Sequence, residues 1–186
     1  MIRAVLEKLM NEYPTFDVKE VFPFTGNPLA DYIRDEIPQL FQYEFSSLSR
    51  VVWKASPGKG QWADAPWIAG LDPLVTDTLQ RGYYPVYLFN RSLNKIYLSF
   101  NQGMTELRKE FGHTRAKEIL KHRAGILEYR LSLEHKARFN TDPIDLQAGT
   151  PNSRLAFYEP GHAFGIRYDR ENLPSDEDLQ EDLLEM

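Results

Sequence analysis

Apolar residues open the chain at helical spacing. Ile2, Val5, Leu6 and Leu9 fall on one face of residues 2–12, which predicts an amphipathic N-terminal helix. A looser stretch with Pro14, Pro23, Gly26 and Pro28 follows. Asn27 before Pro28 reads as a helix cap with proline at the first helical position. The surface helix it opens places Leu29, Ile33 and Ile37 on one side until Pro38 disturbs it. From residue 48 the pattern changes to short runs rich in β-branched and aromatic residues: LSRVVWKAS (48–56), PWIAGLD (66–72), GYYPVYLF (82–89) and NKIYLSFNQG (94–103). PGKG (57–60) is a turn, RSLN makes a hairpin between the third and fourth runs, and Pro85 marks an edge or a bulge. Four strands with no helices between them predict an antiparallel, curled sheet.

Helical spacing returns at Thr105 and runs to about Arg138, with an interruption near Gly112–His113. Residues 153–169, SRLAFYEPGHAFGIRYD, read as strand, turn at Pro160–Gly161, and strand. In the tail, Ser175 caps a short amphipathic helix with acids in its first turn and Leu179, Leu183 and Leu184 on one side. The expected organisation is a single α+β domain over 1–186. It has an N-terminal helical segment (1–47), a β-rich core (48–170) with helices inserted at 105–138, and an acidic C-terminal helix (171–186). A helix that stops abruptly at Met186 predicts a fragment of a longer protein whose effector domain is missing.

With 42 % apolar and 13 % aromatic residues, the 186-residue chain can build a packed core. No apolar run approaches the ~18 residues of a membrane span, and no secretory signal opens the chain. Cys is absent, which excludes disulfides and thiolate chemistry and fits a cytoplasmic protein. The net charge of −5 argues at face value against a nucleic-acid partner. Seven acids and no Lys or Arg lie in residues 171–186, however, leaving 22 basic against 20 acidic residues in 1–170. Residues 105–138 alone hold nine Lys/Arg against five Asp/Glu.

Searches for catalysis return little. His113, His122, His135 and His162 fit no metal spacing, and nucleophile elbows, nuclease motifs and phosphate loops are absent. No metal site, cofactor or catalytic residue is assigned. The informative block is VVWKASPGKGQWADAPWIAGLDP (51–73), which holds all three tryptophans of the chain, Trp53, Trp62 and Trp67. Lys54, Ser56, Lys59 and Gln61 are interleaved with them. Aromatics that stack a base, beside Lys, Ser and Gln that reach phosphates or base edges, are what recognition of a single base needs. Taken alone, Trp53 and Trp67 read as core residues of adjacent strands. Trp62, in a Gly-bounded polar loop, reads as a site residue.

This block, together with RGYYPVYLF, KIYLSFNQGMTEL, YEPGHAFGIRY and ENLPSDEDLQEDLLEM in that order, resembles the McrB-like N-terminal domain family from about residue 8 to the end. The resemblance implies a specificity module of a modification-dependent restriction system. Such a module binds double-stranded DNA, often with methylated or hydroxymethylated cytosine, and is fused to or partnered with a nuclease or an AAA+ GTPase. It further implies a PUA-like curled β-barrel that holds an extruded base in an aromatic pocket. On this chain the matching pocket candidates are Lys54, Ser56, Lys59, Trp62, Trp67 and Asp72, with Tyr83, Tyr97 and Asn101 on the strands.

In that reading Trp62 and Trp67 wall the pocket. Asp72 either accepts from the N4 amine of cytosine or shapes a turn before Pro73. Lys54, Lys59, Arg108, Lys109, Arg115, Lys117, Lys121 and Arg123 either contact phosphates or form a solvated face. The alternative function is a protein-interaction or assembly domain without a base-specific pocket. A small nucleotide-directed enzyme would need a pair among Asp64, Asp72 and Asp77 to converge.

Overall fold

A computed structural model describes residues 1–186. The predicted N-terminal helix is α1, Ile2–Glu12, and its apolar stripe is buried. Asn27 caps the next helical segment as expected, its side chain accepting from Leu29 N at 2.9 Å. That segment is α2 (Pro28–Asp31), a π-helical turn (Tyr32–Glu36) and α3 (Ile37–Glu44). Proline lacks an amide donor and its ring collides with the carbonyl four residues back. The π turn, in which Ile37 N bonds to Tyr32 O, widens the helix just before Pro38 and lets it continue. Ile33, Ile37 and Phe41 are fully buried, so this segment is a wall of the core.

Five strands make one antiparallel sheet that is not closed, in the order β1 (Val52–Gly58), β2 (Trp62–Leu71), β3 (Tyr83–Phe89), β4 (Lys95–Gln102) and β5 (Phe164–Asp169). Pro85 sits in a central strand, yet β2 pairs with β3 only through Val86, Tyr87 and Leu88. Its missing amide therefore costs no bond to β2, which gives the chain an edge inside the sheet.

Strand alternation divides the sheet into two faces. On one, Trp53, Ile68, Tyr87, Leu98 and Ile166 turn toward the helices. Phe41 of α3 packs on Trp53 at 5.1 Å and on Tyr87 at 6.2 Å between ring centroids. Gly70 is required here, because a Cβ would lie 2.9 Å from the Trp53 ring. Ser56, Trp67, Leu88 and Tyr97 are in register on the other face.

The long helix α4 spans Thr105–Arg130 and is broken where expected: Gly112 has φ 73° and ψ −177°, a conformation essentially confined to glycine. A short α5 follows at Leu133–Arg138. The strand expected over 153–159 is instead helix α6, Leu155–Gly161; only the second half of the predicted pair is a strand. Leu155, Ala156, Phe157 and Tyr158 are all buried, so the segment shows no helical alternation and reads as an extended apolar run. The C-terminal α7, Asp176–Glu185, has the Ser175 cap as a full capping box. Leu179 and Leu183 are buried while Leu184 is exposed. One core of 36 buried residues draws on the chain from Ile2 to Leu183. No helix is long and apolar enough to cross a membrane.

Candidate nucleic-acid interface

The face of the sheet that carries Trp67 opens into a cleft of about 280 Å³. Ser56, Trp67 and Leu88 from β1, β2 and β3 line it, and the β1–β2 hairpin supplies Lys59, Gln61 and Asp64. Arg154, Leu155 and Tyr158 bound it from α6, and Lys19 reaches in from the segment between α1 and α2. The hairpin depends on Gly58 at φ 131°, where a Cβ would fall 2.0 Å from the Gln61 carbonyl oxygen. Ser56 Oγ accepts from Gly58 N at 3.1 Å and holds that turn from inside the cleft. A second cleft of about 260 Å³ shares Trp67, Arg154 and Tyr158 with the first and extends to Thr105 and Lys109 of α4. Trp67 is half-buried and lines both.

The two tryptophans exchange the roles suggested by their local sequence. Trp62 is 3 % exposed. Tyr13 and Phe24 pack edge-on to it, each at 5.2 Å, Phe22 is tilted at 5.8 Å, and its Nε1 donates to Phe22 O at 3.0 Å. It touches the cleft but offers no free face for stacking. The reason is the irregular segment 14–26, which has no periodicity to announce it and closes over the Trp62 loop. Lys19 pairs with Asp64, and the Phe16 ring lies 3.3 Å from the Arg91 guanidinium carbon. Trp67 is the aromatic side chain that the fold leaves open.

Asp72 does not enter the cleft. Its two oxygens receive Arg50 at 2.9 and 2.8 Å, and Oδ1 also caps Leu74 N at 2.9 Å. Arg50 and the Leu74 amide hold the Asp72 carboxyl below its ordinary pKa. Of its two readings, this geometry is that of the turn before Pro73.

Lys54 faces Ala69 on β1 outside the cleft lining. Tyr83 stacks on Phe100 at 6.3 Å on the opposite face of the sheet. Tyr97 is buried with its hydroxyl 3.3 Å from Asp145 O, lining a separate cleft. Asn101 is fully buried and supports the site without touching it. Its Nδ2 donates to Tyr158 O and to Ser99 Oγ, both at 3.0 Å, fixing the end of α6. Ser99 Oγ in turn lies 2.7 Å from His162 Nδ1, and burial pushes the His162 pKa down to about 4.

The basic residues of α4 do not act as one surface. Lys109 lines the second cleft. Arg108 and Lys117 lie 5.7 and 5.0 Å from the Phe157 ring centre, and Lys117 donates to Pro151 O at 2.6 Å. Arg115 pairs with Glu118 at 2.8 Å. Lys121 lines a shallow depression beside His113 and Asn152, and Arg123 is exposed. Sequence reasoning missed Arg154, the N-cap residue of α6, and Tyr158, four positions on within that helix. It also missed Lys19. No three His, Cys, Asp or Glu side chains converge to hold a metal ion.

The sequence profile of the MrcB-like, N-terminal domain family matches residues 8–186, essentially the whole chain, and the protein belongs to that family. Membership supports a DNA-binding specificity module of restriction systems. No curated protein and no solved structure matches the chain.

Proposed function

We propose that the protein binds double-stranded DNA and recognises a modified cytosine, methylated or hydroxymethylated, by drawing it out of the duplex into the cleft beside Trp67. The observation that carries this reading is the pairing of Trp67 with unpaired cations in the two clefts it lines, Lys59 and Arg154 in the first and Arg154 and Lys109 in the second. Extruding a base costs a few kcal/mol; stacking on an aromatic ring returns about 1–3 kcal/mol and base-edge hydrogen bonds add to it. Tyr158 and Leu155 of α6 and Leu88 of β3 complete the lining. The cations contact phosphates and give affinity without sequence information.

The chain acts by binding and not by catalysis in this reading. One carboxylate, Asp64, lines the cleft, and acid–base work on a nucleotide needs a convergent partner. Cleavage then falls to a nuclease or AAA+ GTPase, fused or associated. A flat surface at the tryptophan block would have favoured an assembly domain; the cleft supports recognition. The test is titration of labelled duplexes with and without 5-methyl- or 5-hydroxymethylcytosine at two salt concentrations. Preference for the modified duplex, retained as salt weakens overall affinity, is the expected result. Equal binding of all duplexes overturns base recognition, and no binding at low salt overturns the DNA reading.

A further inference from the structure

Inside the cleft, Lys19 engages Oδ1 of Asp64, while Oδ2 carries no hydrogen bond. The side chains are 15 % and 31 % exposed, so the pair is half-buried at a wall of the site. Lys19 comes from the covering segment and Asp64 from β2, and both are held in place. Lys19 Nζ also lies 4.8 Å from the centre of the Phe16 ring. An ammonium has three donors, of which Asp64 takes one, and a carboxylate with a free oxygen still accepts. The pair therefore presents an acceptor beside a donor on one wall of a cleft that offers an aromatic side chain.

We infer that Asp64 and Lys19 read the edge of the base: Asp64 Oδ2 accepts from an exocyclic amine and Lys19 Nζ donates to the adjacent unprotonated ring nitrogen. The inference rests on the cleft being a base pocket and names what that pocket selects. On the Watson–Crick edge, an amine beside a ring acceptor occurs in cytosine (N4, N3) and in adenine (N6, N1). Thymine would set its O4 acceptor against the carboxylate, and guanine its N1–H against the ammonium. Carboxylates are the side chains suited to the cytosine N4 amine, and charged partners make the stronger hydrogen bonds. Asp64 thus takes the role that the family resemblance suggested for Asp72.

The experiment uses one duplex with a single variable target base and 2-aminopurine as its neighbour. Cytosine is compared with pyrimidin-2-one, which lacks only the amine, and in a second arm adenine is compared with purine. The wild-type protein is expected to bind cytosine about tenfold or more tightly than pyrimidin-2-one, since a good base-edge pair discriminates by that order. Asp64→Ala should bind the two equally. Asp64→Asn keeps the shape and carries the test if the alanine variant does not fold; its amide can donate to O4, so the preference for cytosine over thymine should narrow.

If 2-aminopurine fluorescence rises on binding but the amine makes no difference to the wild-type protein, the Asp64–Lys19 assignment is overturned and base extrusion stands. Discrimination that survives in both Asp64 variants overturns it as well. If fluorescence does not rise, extrusion fails and the edge-reading pair fails with it. A loss confined to the adenine arm supports the pair and removes the choice of cytosine.

Discussion

Trp62→Ala and Trp67→Ala should separate folding from recognition. Trp62 is enclosed by three aromatic rings within 5.8 Å and bonded through Nε1 to Phe22 O. Removing such a side chain from a core costs about 3–5 kcal/mol, transfer and cavity together. For a chain of this length that is a fall in Tm of roughly 6–20 °C. The loss should also free segment 14–26, whose hold on the hairpin passes through Trp62 and the Lys19–Asp64 pair. Trp67 stands at the cleft, so its removal should move Tm much less. It should instead forfeit one stacking contact, about 1–3 kcal/mol, or about 5- to 150-fold in Kd for the modified duplex. Thermal unfolding and fluorescence anisotropy with modified and unmodified duplexes, run below both midpoints, measure the two effects. If Trp67→Ala binds the modified duplex like the parent, or melts like Trp62→Ala, Trp67 is not the stacking platform.

Asp72→Asn should leave the modified-base preference unchanged, because Arg50 and the Leu74 amide occupy that carboxylate; a loss of preference in the same titration would return Asp72 to the site. Arg154→Ala should weaken modified and unmodified duplexes alike and lower the slope of log K against log salt by about 1, as one lost phosphate contact does. Gly112→Ala should destabilise by about 1–3 kcal/mol through backbone strain alone, since the space around it is open; denaturant unfolding reads this. His162 has a folded pKa of about 4 against an ordinary value of 6.5. The unfolded chain takes up the proton first, so stability should fall as pH drops from 6.5 toward 4, by an amount on the order of 3 kcal/mol. Stability curves of the parent and His162→Gln across that range should diverge, and parallel curves would refute the assignment.

Where one period governed a segment, the sequence was readable. The stripe of α1, the strand runs, the Gly112 break and the Ser175 cap all follow from local rules and reappear in the fold. It was unreadable where tertiary packing overrode local pattern. The four consecutive buried residues of α6 erase helical alternation, and with it the view of Arg154 and Tyr158 as neighbours. Trp62 looked exposed because its cover, segment 14–26, is distant in sequence and irregular. Lys19 and Asp64, 45 positions apart, meet only in three dimensions. The tryptophan block thus lies where a cleft opens, while which of its side chains faces that cleft depends on what folds over the hairpin.

The placement of the three tryptophans gives the protein an optical asymmetry. Trp53 and Trp62, 5 % and 3 % exposed, emit from the interior and are shielded from aqueous quenchers. Trp67 is half-buried and lines the cleft. The emission of the unmodified protein is therefore a constant background from two indoles plus one reporter at the cleft, and iodide should quench that reporter selectively until a ligand shields it.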